Sequence, residues 1–374
     1  MFSIRHFSVN NNSKKMKHKI VCFTDSLGLG GAQRQLVGLA VLLKTNGCEV
    51  STLLYYDIPF YKDILDRNNI DSVVVGGSSI LSRCLSIYRY LKLYKPRVVI
   101  AYQATPSIIA CMLRPFLRIP VLIVSERGTS ELISLKTRVR FKLWRFADFI
   151  VPNSYSQTQF IFKHTPEYSN KVVTITNFVN TNLFIPSLDN TKDWHPLKIV
   201  ILGRITPEKN ILEFIKAINL VKNVGYDIEV RWYGDTNNAD YNNECKELVC
   251  KYNIGSVFKF YPAQTEVVQL YQNADVFCLP SLNEGFPNVI CEAMSCGLPI
   301  LCSNICDNPL IVEDGENGIL FSPDRAENIA DAIIKYINLP EGKKVQMGVR
   351  SRELALEKFS SEVFIQKYIN LIES

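Results

Sequence analysis

Two glutamates eight residues apart carry the most specific chemical signal in this chain, in Glu284-Gly-Phe-Pro-Asn-Val-Ile-Cys-Glu292-Ala-Met-Ser-Cys-Gly-Leu-Pro299. The apolar run Val276 to Leu279 reads as a strand, Ser281 to Gly285 as a loop carrying Glu284, and Pro287 as the start of a helix whose second turn carries Glu292. Two carboxylates then stand at two depths of one cleft, with a helix N-terminus between them. A carboxylate there accepts two hydroxyl hydrogen bonds from a sugar or ribose diol, and backbone amides at Phe286 to Val289 would face an anion. A helix interrupted by chance acidic residues has the same letters.

A second group is Leu202-Gly203-Arg204-Ile205-Thr206-Pro207-Glu208-Lys209-Asn210. A strand ends at Gly203 and a helix opens around Pro207, so Arg204 and Lys209 flank a strand-to-helix turn. A forked guanidinium and an ammonium there could converge on a diphosphate; a surface charge pair is the plain alternative. The third group, Gly28-Leu-Gly30-Gly31-Ala-Gln-Arg34, follows the first strand. Its glycines allow close backbone approach, and the helix after them offers unpaired amides. It is neither G-x-G-x-x-G nor a Walker loop, and a tight turn without a ligand would look alike.

Other chemistries lack their residues. No Asp-x-Asp occurs, so a nucleotide diphosphate would find no paired-aspartate metal site, and Arg204, Lys209 and helix dipoles would neutralise leaving-group charge; no metal ligand set and no cofactor is expected. His6 and His18 lie in the polar start, His164 at a helix end and His195 in a linker, and none looks like a catalytic base. Eleven cysteines, an odd count without a C-x-x-C pair, sit mostly in apolar segments (Cys22, Cys111, Cys278, Cys291, Cys302) and read as small core residues of a reduced, intracellular protein.

These groups need a scaffold, and the chain supplies two. Its 374 residues, 47% apolar, suffice for two cores. No apolar run approaches the roughly 18–20 residues of a membrane span, and the polar, basic opening of residues 1–18 reads as a flexible tail without a secretory signal. Strands are expected at Ile20–Thr24, Val50–Leu54, Ser72–Val75, Val98–Ala101, Val121–Val124, Phe149–Pro152 and Val172–Thr176, mostly with helical patterns between them, the first from Ala32 to about Asn46. This βα alternation predicts a parallel sheet covered on both faces, a first domain over residues 19–180. The Asn-rich stretch 177–196 reads as a linker. The pattern restarts with a strand Lys198–Leu202, a helix Glu208–Val221 and a strand Ile228–Tyr233, a second domain over residues 197–355, and closes with an amphipathic helix within residues 356–374 that packs back on the first domain. Two open α/β sheets place a ligand crevice at the carboxyl ends of their strands.

Charge is divided. Residues 1–180 hold 24 Lys and Arg against 10 Asp and Glu, the remainder 18 against 26, and the whole chain is +6. The basic half points to an anionic partner. Its densest stretch, Lys136 to Arg145, interleaves cations with Val139, Phe141, Leu143 and Trp144, a pattern suited to an anionic membrane surface as well as to a solvated helix with one buried face. Nucleic acid is not expected, because no recognition motif for it is present.

Taken together, GLGGAQR, TNFVNTNLF, LGRITPEKN and EGFPNVICEAMSCGLP resemble the retaining GT-B glycosyltransferases of family 4, the "glycosyl transferases group 1", from about residue 19 to 372. The resemblance implies two Rossmann-like doubly wound domains facing across a cleft, the second binding a nucleotide sugar and the first an acceptor. It implies that Arg204 and Lys209 hold the donor diphosphate near Gly203, that Glu292 binds the ribose hydroxyls, and that Glu284 lies beside the donor sugar. Gly285, Phe286, Pro287, Asn288 and Val289 fall near sugar and phosphate, and Gly30 and Gly31 in the loop that closes on the diphosphate. Glu284, Arg204 and Lys209 are the implied catalytic set; Arg34 and Arg127 are assigned to acceptor or phosphate. Two departures stand out. Many members carry a histidine where this chain reads Val124-Ser-Glu126-Arg127-Gly128, and their Asn-Gly before the second domain is Asn177-Phe178 here. The SERG and EGFPN segments look most like bacterial members that add an N-acetylhexosamine or a related sugar, from a donor expected to be a UDP-sugar, to a polyprenyl-diphosphate-linked glycan in polysaccharide assembly. That implies a peripheral protein on the inner face of the cytoplasmic membrane. An epimerase or phosphorylase on the same fold, or a non-catalytic sugar-nucleotide-binding protein, are the alternatives.

Overall fold

A computed structural model describes residues 18–77, 79–128, 133–188 and 195–374. The expected tail therefore lies outside the described residues but for His18, as do residues 189–194 of the linker. The first domain runs β1 (Lys19–Phe23), α1 (Gly31–Thr45), β2 (Glu49–Leu54), α2 (Lys62–Arg67), β3 (Asp71–Val74), α3 (Ile80–Tyr94), β4 (Val98–Tyr102), α4 (Ala104–Leu113), β5 (Val121–Glu126), α5 (Leu135–Leu143), β6 (Phe149–Pro152) and α6 (Tyr155–His164). The second runs β7 (Leu197–Leu202), α7 (Ile211–Asn223), β8 (Ile228–Tyr233), α8 (Ala239–Lys251), β9 (Phe258–Tyr261), α9 (Val268–Gln272), β10 (Val276–Leu279), α10 (Asn288–Ser295), β11 (Ile300–Ser303), α11 (Asn308–Ile311), β12 (Gly318–Phe321), α12 (Ala326–Ile337) and α13 (Glu341–Phe359), and α14 (Ser361–Glu373) ends the chain.

Each domain holds one six-stranded sheet, ordered β3-β2-β1-β4-β5-β6 and β12-β11-β10-β7-β8-β9, with every named strand pair parallel. Both orders are the doubly wound order, whose direction reverses between β1 and β4 and between β7 and β10. The chain there leaves adjacent strands in opposite senses and opens a crevice at their carboxyl ends. Central strands such as β4 and β10 are buried along their whole length, which explains why they read as unbroken Val, Ile, Leu and Phe runs. Cys22, Cys111, Cys278, Cys291 and Cys302 are buried, as small core residues should be.

Two expected elements differ. Val172–Thr176 forms no named strand. The amides of Val173 and Ile175 donate to the carbonyls of Ile150 and Pro152, but Pro152 has no N–H to return, so only a single bridge at Val172 forms. The helix expected at Glu208 begins instead at Ile211. Pro207–Lys209 is a short 3₁₀ turn, and Asn210 takes a left-handed conformation (φ 59°) that resets the chain.

Several contacts join the domains. Phe178 lies 4.7 Å from the Phe364 ring of α14, and Phe364, Ile365, Tyr368 and Leu371 belong to the same core as Ile20, Leu36 and Ile100 of the first domain. Asp307, 1% exposed, accepts the first amides of α6 from Tyr155 at 2.6 Å and Ser156 at 2.8 Å. A buried carboxylate of one domain thus caps a helix of the other.

Candidate functional site

The loops after β7 and β10 leave the second sheet on either side of its switch point, and the amide of Leu282 donates to the Glu208 carbonyl at 2.8 Å to tie them together. Gly203 sits against the Lys209 stem, where an added Cβ would lie 3.5 Å from Lys209 Cε. The Lys209 ammonium donates to Glu284 Oε1 at 2.5 Å, and the Ser281 hydroxyl donates to the same oxygen at 2.7 Å. Both side chains are largely covered, at 17% and 11% exposure, so their attraction is less screened than that of a surface pair. Glu284 Oε2 makes no hydrogen bond among the described residues.

Eight residues further, in the second turn of α10, Glu292 is 4% exposed. Its Oε2 accepts from Tyr271 Oη at 3.0 Å, and its Oε1 pairs with Arg34 Nη2 at 2.5 Å across the domain boundary. Burial, then the charge of Glu292, pushes the Tyr271 phenol far above its ordinary value, so its hydroxyl stays a donor. The charge of Glu292 in turn raises the Arg34 guanidinium above its ordinary value. The Gly-rich loop comes close to the same helix: a Cβ on Gly31 would lie 3.4 Å from Asn288 Nδ2, and Asn177 Nδ2 donates to Asn288 Oδ1 at 2.8 Å. Gly30, extended, ends the loop at the N-cap of α1.

Thus Lys209 and Glu284 meet in one ionic cluster, and Arg34 and Glu292 in a second at the other end of the same short segment. Arg204 stands apart: it is exposed, its charge adds to the forces lowering the Glu208 carboxyl, and it makes no hydrogen bond among the described residues. Phe286 and Pro287 are buried, and Phe286 packs edge-on against Phe359 at 5.7 Å. The expected row of amides from Phe286 to Val289 is shorter than the sequence implied. Pro287 has no N–H, and the Asn288 amide is spent on the Phe286 carbonyl at 3.0 Å, which leaves Phe286 and Val289. Gly285 lies between Glu284 and this turn.

Two expectations in the first domain are corrected. The Arg127 guanidinium is not free for phosphate or acceptor. It donates to Ser125 Oγ, Asn177 Oδ1, Tyr102 Oη and Tyr368 Oη, at 2.8, 2.7, 2.5 and 2.9 Å, and so fastens the crossover and α14 to the first sheet. In the Lys136–Arg145 stretch, Phe141 and Trp144 are core residues at 7% and 0% exposure, and Arg140 is buried against Glu126. Only Lys136, Arg138, Lys142 and Arg145 face outward as cations, beside Leu135 and Val139. Tyr271 and Ser281 were not legible in the sequence. Each acts through one oxygen supplied by tertiary folding, and the five-residue α9 has no spacing that singles out Tyr271.

Comparison with known proteins agrees with this geometry. Residues 189–353, nearly the whole second domain, match the family model described as glycosyl transferases group 1. A probable sucrose-phosphate synthase of Thermosipho melanesiensis is 25% identical over 85% of this chain and 82% of its own. The capsular polysaccharide biosynthesis glycosyltransferase CapM of Staphylococcus aureus is 28% identical over 47% of this chain and 48% of its own. Among solved structures, Anabaena HepE in complex with UDP superposes with a TM-score of 0.84 over 96% of this chain and 100% of that one, at 20% identity, a likeness of fold. Sequence and architecture therefore converge on one assignment: the second domain matches the glycosyl transferases group 1, and the chain is a glycosyltransferase of the GT-B architecture.

Proposed function

We propose that the protein moves a sugar, of the N-acetylhexosamine type, from a UDP-sugar to a hydroxyl of a polyprenyl-diphosphate-linked glycan, with retention of anomeric configuration. The observation that carries this reading is the pair of ionic clusters at the β7/β10 switch point, Lys209 with Glu284 and Glu292 with Tyr271 and Arg34. Anabaena HepE, of the same fold, was solved with UDP-glucose, and CapM serves capsular polysaccharide synthesis.

In the proposed reaction the bond between the anomeric carbon and the β-phosphate oxygen breaks. A bond to the acceptor oxygen forms on the same face through an oxocarbenium-like state, and the acceptor proton passes to the departing diphosphate. Lys209 and Arg204 neutralise the charge that grows on that diphosphate, the N-terminus of α10 adds its dipole, and no metal takes part. Glu292 receives the ribose hydroxyls, with half-exposed Arg34 as the partner they displace. The remaining contribution is orientation. A thermal-unfolding panel checks the donor: UDP is expected to raise Tm more than GDP or ADP, and equal shifts for all three, or none, would contradict the assignment.

The same reading places the protein at the inner face of the cytoplasmic membrane. No described helix is long and apolar enough to cross one. α5 exposes Leu135 (79%) and Val139 (45%) among the outward cations Lys136, Arg138 and Lys142. Apolar side chains among cations suit an anionic interface. Sedimentation with phosphatidylglycerol vesicles should carry the protein down at about 0.05 M salt and release most of it by about 0.3 M. Protein that stays in the supernatant at low salt would refute membrane docking.

A further inference from the structure

An amide side chain exchanges donor for acceptor when it rotates by half a turn, so its direction is set by its neighbours. Three residues fix such a direction here. The guanidinium of Arg127 can only donate, and its Nη1 gives a hydrogen bond to Asn177 Oδ1 at 2.7 Å. Asn177, 5% exposed, must then turn its nitrogen the other way, and Nδ2 donates to Asn288 Oδ1 at 2.8 Å across the domain boundary. With its oxygen engaged, Asn288 turns its own Nδ2 toward the Gly-rich loop, 3.4 Å from where a Cβ on Gly31 would lie. That nitrogen makes no hydrogen bond among the described residues. The row runs donor to donor from a fixed charge, and hydrogen bonds in such a row polarise one another. Arg127 itself cannot swing. Its other nitrogens donate to Ser125, Tyr102 and Tyr368, and it lies 4.1 Å over the Tyr102 ring.

Asn288 opens α10, the helix whose start faces the leaving diphosphate in the reaction proposed above, and Gly31 opens α1. Backbone donors are scarce at this place. Pro287 has no N–H, and the Asn288 backbone amide is bonded to the Phe286 carbonyl. A side-chain N–H directed into the gap between the two helix starts stands in for them. Direction decides its worth. An anionic oxygen bonds to the nitrogen end of the amide and is repelled by the oxygen end, so a half-turn exchanges a charge-assisted hydrogen bond for a contact of like sign. Asn177 has its oxygen and its nitrogen both engaged, and Arg127 is held by four partners, so each can act on a ligand in the gap only through Asn288.

We propose that Asn288 gives its side-chain N–H to the diphosphate of the nucleotide sugar, and that Arg127 and Asn177 are positioning residues that hold this amide nitrogen-first. The inference rests on the donor reading above and deepens it. Calorimetry with UDP and saturation-transfer NMR with uridine, which lacks the diphosphate, test it on the full chain. Asn288→Ala is expected to weaken UDP binding about tenfold or more, the scale of a hydrogen bond to a charged group, and to leave uridine within about twofold. In Asn177→Asp the new carboxylate still accepts from Arg127 but returns no N–H, so Asn288 rotates its nitrogen inward and its oxygen toward the gap. UDP should weaken at least as far as in Asn288→Ala, again with uridine unchanged. The guanidinium compensates the added charge, so Tm should stay near wild type. Combining the two substitutions closes a double-mutant cycle: in the Asn288→Ala background, Asn177→Asp should weaken UDP by no more than about twofold further. Should Asn177→Asp melt early, Asn177→Ala frees Asn288 without adding charge and gives the same comparison. UDP affinity unchanged in Asn288→Ala or in the Asn177 variants would overturn the inference. So would equal losses for UDP and uridine, the mark of a merely structural role, or an Asn177→Asp loss of the same size with and without the Asn288 side chain. Wild-type protein that binds neither UDP nor uridine would sink the donor reading, and this inference with it.

Discussion

Lys209→Ala is expected to slow sugar transfer by roughly 10²–10³-fold, the scale of removing one preorganised charge contact from a developing anion. Its effect on donor affinity should be smaller, because the charge it meets grows as the diphosphate departs. The alternative cause of a slow variant is local unfolding. Lys209 is the ion partner of a Glu284 only 11% exposed, and stripping one member of a covered pair leaves the other uncompensated. Lys209→Met/Glu284→Gln separates the two causes. It strands no charge and should melt near wild type, yet it should transfer sugar no faster than Lys209→Ala. Steady-state kinetics with circular dichroism melts checks both points, and near-wild-type turnover in either variant would remove Lys209 from the catalytic set.

The second large effect concerns a backbone contact that positions this lysine. Gly234, just after β8, approaches the end of β7 so closely that a Cβ would lie 2.0 Å from the Gly203 carbonyl oxygen and 2.7 Å from its carbon. The same oxygen accepts from the buried Trp232 Nε1 at 2.9 Å, and the Gly203 amide donates to Tyr233. In Gly234→Ala no flexible side chain can yield. The Gly203–Arg204 backbone must move and the indole N–H loses its partner. Overpacking costs about 1–3 kcal/mol and an orphaned buried donor about 1–3 more. At about 2–4 °C per kcal/mol for a domain of this size, Tm should fall by roughly 5–20 °C, together with UDP affinity. A Tm within about 2 °C of wild type would show that the turn after β7 is not held in this way.

How far such features could be read from letters depends on whether their cause is local. The strand-turn-helix motifs at Gly203–Asn210 and Ser281–Glu292 announce themselves, because a buried parallel strand, a loop and a helix start each leave a composition mark. That the strands before them, β7 and β10, are neighbours at the switch point of the second sheet is a matter of strand order, which leaves no mark in composition. Arg140 shows where this logic fails. Thr137, Arg140, Phe141 and Trp144 recur at helical spacing and form one buried face, so the periodicity was present, but an arginine among four other cations counts as solvent-facing until Glu126 is seen beside it. Arg127 failed for the opposite reason. Next to a Gly in a loop it looked available, and its partners Tyr102, Asn177 and Tyr368 lie 25, 50 and 241 residues away in sequence. The Arg34–Glu292 bridge spans 258 residues and needs both domains assembled.

The proposed sugar transfer requires the carboxylate of Glu292 to receive the nucleotide at the domain boundary. Calorimetric titration of UDP into the wild type and Glu292→Ala measures this directly. Binding in the variant is expected to weaken by about 1.5–3 kcal/mol, the loss of a charged hydrogen bond. Affinity for UDP equal in the two proteins would contradict it.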